Sequence, residues 1–537
     1  MTYRKLSILV MACMMIILVA CSDDSSQDDV EASDLENLNE SGMPIVEESI
    51  DLDIFTGKSL TNVKSDWNDI LIWNEYEDMT NIHVEWRQIP GESLEEKRNL
   101  TFGGGELPDV FYAASIPNSD LLKYGEQGVL QPLNDLIEDY APNFKQIMEE
   151  YPEVENAITF PDGNIYALPN IYDPAFTSLI MNATPWINQS FLDALDMDMP
   201  ETTDEFYEYL KAVKNDDPNG NGEADEVPFG GYSIDYLTRW LRGSFGIANN
   251  GVNYIDLDED TQEVRFYPIS DGYKEMLEYV HKLYSEELIQ QNIYNIEFNE
   301  YLSYANEGIY GSTYWYSPEE EFGDVGDDYV SGLPLKGPHG DQKYVDIGHP
   351  AFAMGRFAIT EVNENPEATM RWVDYFYGDE GSKFFYMGIE GETYEETEDG
   401  EYKYVDRITN SPDGLTMNEE LVKDLAWVGS SSPSIIKQEY FQGTENSPQA
   451  LEAGEILEPY FIEDSWPPEF TYTNEENKKL TGLATDIEKY VDEEKDKFIT
   501  GQISFDEWDQ YVERLEKMGL EEYLSIKQAA YDRYKDE

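Results

Sequence analysis

Oxygen-bearing side chains recur at alternate positions in one short segment, Asp217-Pro218-Asn219-Gly220-Asn221-Gly222-Glu223-Ala224-Asp225-Glu226. Counted from Asp217, they fall at the first, third, fifth and ninth positions, with a glycine at the sixth. This is the front of an EF-hand loop, in which alternate side chains point inward and the glycine makes the sharp turn. Hard oxygen donors with no His or Cys select calcium over zinc or copper. The twelfth position is Pro228 where the motif has Glu, so Glu226 at the tenth is the candidate for the missing carboxylate. The expected ligands are Asp217, Asn219, Asn221, Asp225 and Glu226, with Glu223 giving its backbone carbonyl, and the calcium would be structural. The alternative is a solvated Asn-Gly turn after a helix.

The second chemical signal is Cys21. Arg4 and Lys5 are followed by an apolar run over residues 6–20, which reads as a secretory leader, too short for an ordinary membrane span. Leu18-Val19-Ala20 before Cys21 resembles a lipobox, whose cysteine carries a diacylglycerol and becomes the mature N-terminus. The only other cysteine, Cys13, lies inside the apolar run, so the mature chain forms no internal disulfide. Residues 1–20 are therefore expected to be a lipoprotein signal peptide. Residues 21–49, acidic and without Lys or Arg, are expected to be a disordered tether, lifting the body roughly 30 Å off the membrane.

Other chemistry is scarce. Four His, no HExxH, no GxSxG and no cysteine nucleophile leave few catalytic options. With 112 acidic side chains, any two carboxylates make a nominal glycosidase pair, so such pairing carries no information. The formal net charge of -77 disfavours nucleic acid and anionic lipid as partners. It sits beside 39 Tyr, 23 Phe and 10 Trp, which marks a folded body suited to salty or alkaline surroundings rather than a disordered polyacid.

The elements that must position any site alternate. Residues 50–55 read as a strand, 67–79 as a helix, 81–87 as a strand, 94–100 as a helix and 109–112 as a short buried strand, an order that indicates a parallel sheet. Gly103-Gly104-Gly105 lacks phosphate-loop spacing and sits at a helix end, so it reads as a turn. Thr202 with Glu205, and Ser504 with Glu507, fit capping boxes that open helices. Trp508, Tyr511, Val512 and Leu515 then form an apolar face, and Gly519 suits a helix end.

Several fragments, in this order, resemble the extracellular solute-binding proteins, family 1, that serve carbohydrate ABC transporters, in particular their large Gram-positive lipoproteins. They are Gly104-Gly105-Glu106-Leu107-Pro108-Asp109-Val110, Gly128-Val129-Leu130-Gln131-Pro132-Leu133, Pro161-Asp162-Gly163-Asn164-Ile165-Tyr166-Ala167-Leu168-Pro169, the acidic loop, Phe357-Ala358-Ile359, Asn365-Pro366-Glu367-Ala368 with Arg371-Trp372, and Gly388-Ile389-Glu390-Gly391. The resemblance implies an α/β fold of the periplasmic-binding-protein-like type II, with two α/β lobes, a hinge and a helical C-terminal region. The first lobe would hold residues 50–171 with 349–410, and the second 172–348 with 411–537. In family members with such an acidic loop, the loop holds calcium away from the sugar.

Ligands of open α/β sheets sit at the carboxyl ends of the strands, and sugars ask for aromatic faces with a few polar groups. Lys58 and Tyr112 follow expected strands of the first lobe. Tyr314 and Trp315 follow a short run in the second. Arg239, Trp240 and Trp427 complete the expected contacts. Arg239 and Arg242 suit a uronate carboxylate, with surface ion pairing as the alternative, and each aromatic taken singly also fits a core.

Taken together these readings imply a non-catalytic, monomeric receptor, lipid-anchored on the extracellular face of the cell membrane. It would capture an oligosaccharide, a uronate-containing one among the candidates, for the permease subunits of an ABC importer. The alternatives are a surface glycosidase or polysaccharide lyase, and a peptide-binding or adhesive lipoprotein.

Overall fold

The computed structural model describes residues 36–58, 64, 66–248, 254–258, 261–427, 432–463 and 465–536. The leader, Cys21 and the first part of the expected tether lie outside the described residues.

Two sheets organise the chain. The first has six strands in the order Ile435–Ile436, Leu168–Tyr172, Ala351–Ile359, Val110–Tyr112, Ile50–Lys58 and Ile82–Pro90. Ile50–Lys58 runs parallel to both neighbours, pairing Ile50 with Ile82 and Ile54 with Val110. The helices Leu71–Thr80 and Leu94–Phe102 connect these strands. This is the parallel unit expected from the alternation of residues 50–112. Ala351–Ile359 is antiparallel to both its neighbours, so the whole sheet is mixed.

The period of two along a strand explains how the first sheet is covered. Leu52, Ile54, Val110 and Tyr112 enter one core, while Phe55 and Phe111 enter another on the opposite face. The first core is dominated by large rings: Trp67, Trp73, Trp86 and Trp372 surround Tyr112 with centroid distances from 5.7 to 6.5 Å.

The second sheet has four strands in the order Tyr329–Ser331, Thr184–Asn188, Tyr310–Trp315 and Val227–Phe229. Only the last pair is parallel. Helix Thr203–Asn215 packs beside it. That helix opens with the expected capping box: Glu205 N–H donates to Thr202 Oγ1 at 3.1 Å, and Thr202 N–H donates to Glu205 Oε2 at 3.1 Å. The expected box at Ser504 and Glu507 also forms.

The chain crosses between the lobes near residues 173–183, 346–350 and 437–447. Two of these crossings are stitched together: Gly348 N–H donates to Ile180 O at 2.6 Å, Asn182 N–H donates to Asp346 O at 3.0 Å, and Met181 bridges Ile347. Short paired crossings of this kind define a hinge.

Three boundaries differ from expectation. Residues 36–49 are not a free tether. Ile45 and Val46 are an apolar pair in an acidic stretch, and they are buried in the first core. Ile45 N–H donates to Thr80 O at 3.1 Å, Asn81 Nδ2 donates to Val46 O at 2.9 Å, and Arg371 donates to the carbonyls of Asn39 and Gly42. The segment thus caps the C-terminal end of the helix Leu71–Thr80. Residues 411–436 do not join the second lobe, because Ile435–Ile436 pairs in parallel with Leu168–Tyr172 at the edge of the first sheet. The C-terminal helices Asn474–Thr500 and Leu520–Asp536 pack on both lobes rather than one: the former against Asp271–Ser285 and Asn118–Glu126, the latter against Pro152–Ile158.

Candidate functional site

Val227–Phe229 and Tyr310–Trp315 are parallel, so their carboxyl ends lie side by side at one edge of the second sheet. Tyr232 follows the first and Tyr316 the second. Helix Ile234–Leu241 starts there, with the Ser233 hydroxyl accepting from Asp235 N–H at 3.2 Å, and it carries Tyr236, Arg239 and Trp240.

Arg239 and the crossing residue Asp346 form the polar centre of this edge. Arg239 Nη2 donates to Asp346 Oδ1 at 2.6 Å. Tyr314 Oη donates to Asp346 Oδ2 at 2.9 Å, and Asn182 Nδ2 to Oδ1 at 3.2 Å. Burial works against the Arg239 charge, but the Asp346 carboxylate outweighs it and raises the guanidinium pKa. The Arg239 guanidinium also lies 5.6 Å from the Tyr236 ring, a cation–π distance.

Across the crossings stands an aromatic pair from the first sheet: Tyr172 stacks on Phe352 with centroids 4.3 Å apart and planes 11° from parallel. Its phenol pKa is pushed up by burial, then by the Glu445 carboxylate, Tyr386 and Tyr316. Tyr172 ends its strand where the first crossing begins, and Phe352 follows the second crossing. Beside them Ser178, Thr184, Tyr316, Ser317, Thr444 and Glu445 line a small recess. Burial raises the Glu445 carboxyl pKa.

The first lobe gives this cleft a stiff wall. After the strand Val110–Tyr112, Ala113 and Ser115 have φ of +49° and +51°, a left-handed conformation that side chains other than glycine adopt at a cost. The buried Arg98 guanidinium holds the bend by donating to Ala114 O at 2.9 Å and Ser115 O at 2.7 Å. Arg356 Nη1 donates to Ser115 Oγ at 2.8 Å.

Of the contacts expected from sequence, Arg239 alone stands half-buried in this cleft. Tyr112 is enclosed by the tryptophan core. Trp240 is buried, with Nε1 donating to Leu333 O at 3.1 Å, and stacks on Tyr314. Trp315 is buried and donates to Glu321, while Trp427 donates to Tyr386 O at 3.2 Å inside the first lobe. The Lys58 ammonium is turned to the Lys64 carbonyl, and Arg242 lies 5.4 Å from the Tyr267 ring. The residues that sequence reasoning missed are Tyr172, Phe352, Tyr316 and Glu445. Tyr316 stands one residue beyond Tyr314-Trp315, and no alternation marks it, because every residue of the strand Tyr310–Trp315 is buried.

Trp315 is the base of a second feature. Tyr316, Phe298 and Tyr232 surround its ring at 5.2, 5.6 and 6.4 Å. These are 43%, 37% and 40% exposed, and among the described residues they are the aromatic members of the exposed large hydrophobics.

The acidic loop leads directly into the strand Val227–Phe229. Its side chains fold inward: Asp217 Oδ2 accepts from Gly222 N–H at 2.8 Å, Asn219 Oδ1 from Asn221 N–H at 2.9 Å, and Asn221 Oδ1 from Glu223 N–H at 2.7 Å. Asn219 and Asn221 donate their amides to Asp225. Gly220 and Gly222, at φ of +70° and +81°, make the turns. Glu226 Oε1 is buried without a hydrogen-bond partner, and burial raises its pKa, with Asp225 and Asp217 adding to the rise. Among the described residues, no three His, Cys, Asp or Glu side chains converge as a metal-holding group. The loop's donor set instead depends on its two asparagines and its carbonyls. Hard oxygen donors and one orphaned carboxylate oxygen fit a calcium-type cation.

The family of bacterial extracellular solute-binding proteins matches the chain over residues 59–383. A Streptococcus pneumoniae protein, the fructooligosaccharide ABC transporter substrate-binding protein FusA, is 30% identical over 547 residues, covering 99% of this chain and 98% of that protein. The solved structure of S. pneumoniae FusA in complex with kestose has a TM-score of 0.73 at 28% identity and covers 91% of this chain and 100% of that one. That of a FusA EF-hand mutant in complex with fructo-nystose has a TM-score of 0.71 at 27% identity, with the same coverage of 91% and 100%.

Proposed function

The chain belongs to the bacterial extracellular solute-binding proteins, and from that premise we propose that it captures a neutral oligosaccharide of the fructan class between its lobes and presents it to an ABC importer. It is a binding protein, not an enzyme. One observation carries the proposal: Tyr316 and Glu445 line one recess at the crossings, with the Arg239–Asp346 pair on the second lobe and the Tyr172–Phe352 stack on the first flanking the same crossings. Apolar ring faces with a few fixed polar groups suit a sugar, whose hydroxyls bond at its edge and whose C–H faces stack. The relative that binds fructooligosaccharides supports the class.

A uronate is the weaker reading of the same site. The Arg239 fork already serves Asp346, and Glu445 adds a second carboxyl. An incoming carboxylate would meet two acids and a neutralised cation.

The mature chain is held at the outer face of the membrane through lipid on Cys21, and it works as a monomer beside its permease. The docking of residues 36–49 supports a defined point of attachment on the first lobe. The acidic loop holds calcium through Asp217, Asn219, Asn221, Asp225 and Glu226, with the Glu223 carbonyl. The chemistry of those donors supports this, as does the relative carrying an EF-hand. Calcium would pin the loop from which the strand Val227–Phe229 starts.

The test is calorimetry of the purified protein against neutral fructan oligosaccharides and oligogalacturonates, with product analysis of the same mixtures. One-to-one binding of the neutral series without cleavage is expected. Tighter binding of the uronate series, or release of shorter sugars, would overturn the reading.

A further inference from the structure

The exposed rings of Tyr232 and Phe298 are not explained by a cleft that ends at Tyr316. We propose that they form a distinct stacking subsite outside the cleft, which takes the chain-extending sugar units of an oligosaccharide and makes the protein favour longer ligands. This rests on the reading of the cleft as a neutral-sugar site.

The argument begins with exposure. With 112 acidic side chains and a formal net charge of -77, much of the surface carries carboxylates. Yet Tyr232, Phe298 and Tyr316 keep 40%, 37% and 43% of their surface in water, and they come together from three separate segments. A contiguous exposed aromatic patch of this kind marks a binding surface.

The second observation is rigidity. Tyr232 and Phe298 meet edge to face, with centroids 5.5 Å apart and planes at 76°. Phe298 lies 5.6 Å from Trp315 and 6.3 Å from the buried Tyr301. Trp315 is itself fixed by its indole N–H bond to Glu321. Rings held this firmly lose little freedom when a ligand stacks on them.

The third is continuity. Tyr316 touches the recess lined by Glu445 and Thr444 on one side and the Trp315 ring on the other. A chain of sugars leaving the recess past Tyr316 therefore runs onto the Phe298 and Tyr232 faces. No Lys or Arg faces these two rings in a cation–π contact among the described residues, so the patch offers stacking without charge selection. The occupant is thus a neutral sugar ring of the same ligand.

The experiment compares the fructan trisaccharide with the pentasaccharide by calorimetry, using wild type, Tyr232→Ala, Phe298→Ala and the double variant, with solution mass by light scattering. Wild type is expected to bind the pentasaccharide about tenfold more tightly, the scale of one to two ring stacks. Each single variant should lose part of that preference and the double variant all of it. Trisaccharide affinity should be unchanged, which also shows that the variants are folded. An equal loss for both sugars, an unchanged preference, or a wild type without length preference would overturn the subsite while leaving the cleft reading intact. So would a wild-type dimer that the double variant turns into a monomer, which would assign the patch to a second copy. Failure of wild type to bind either sugar would overturn the cleft reading and the subsite with it.

Discussion

Substituting Asp346 by asparagine removes a charge whose side chain is 1% exposed and leaves its Arg239 partner, 27% exposed, unpaired. Breaking a buried ion pair from one side costs about 3–5 kcal/mol. The residual exposure of Arg239 lets water recover part of that, which puts Asp346→Asn at about 2–3 kcal/mol. The reverse change, Arg239→Met, strands the more deeply buried partner. Asp346 keeps the Tyr314 hydroxyl and the Asn182 amide as donors, so the loss there is about 3 kcal/mol. The double variant has no unpaired charge and should cost less than the sum of the singles by about 2 kcal/mol. Urea unfolding of the four proteins measures this coupling. The same set reads ligand choice: Asp346→Asn frees the Arg239 fork, so oligogalacturonate affinity should rise while neutral-sugar affinity falls. Single costs that add within about 0.5 kcal/mol, together with an unchanged ligand preference, would refute the account of this pair.

His349, at a crossing, is buried neutral, and burial pushes its pKa down to about 3. The unfolded chain takes up that proton near pH 6.5, so stability is lost as pH falls from about 6.5 toward 3. Asp374 opposes this: burial pushes its pKa up to about 6, so its contribution is lost as pH rises through about 4 to 6. His349→Gln should shift the pH 7 to pH 5 stability difference by about 2 kcal/mol in favour of pH 5, read by urea unfolding at both values. Arg371→Ala removes the donor to the Asn39 and Gly42 carbonyls, so proteolysis within residues 36–49 should accelerate while the remaining body stays intact. Calcium at a hundredfold excess over its dissociation constant should stabilise the protein by about 2.7 kcal/mol, and Asp217→Asn with Glu226→Gln should abolish that gain without abolishing sugar binding.

Much of the first sheet was legible because its signals are local. The strands and helices within residues 50–112 carry their own periodicity, and Thr202 and Ser504 announce their helices by side chains that cap within one turn. The site was harder, since it is assembled from distant segments. Tyr112 does end a strand, as a carboxyl-end rule requires. But its register places it opposite Thr56 and Phe357, on the face that the tryptophans cover, and register across strands is not written in one strand. Tyr172 and Phe352 are strand residues that flank two of the crossings and Glu445 lies in the third, so their arrangement depends on how the lobes are connected. The edge strand Ile435–Ile436, two residues long, has no period to detect. Residues 36–49 were misread because composition averaged over an acidic stretch hides the Ile45-Val46 pair that docks it.

The central claim is that a neutral sugar sits between the Tyr172–Phe352 stack and Tyr316, beside Glu445. Calorimetric titration of the fructan trisaccharide into wild type, Tyr172→Ala and Glu445→Ala tests it directly. The account predicts saturable one-to-one binding to wild type, weakened about tenfold or more in each variant, because each loses a ring face or a hydroxyl partner in the cleft. Wild-type affinity retained in both folded variants would place the sugar elsewhere and contradict it.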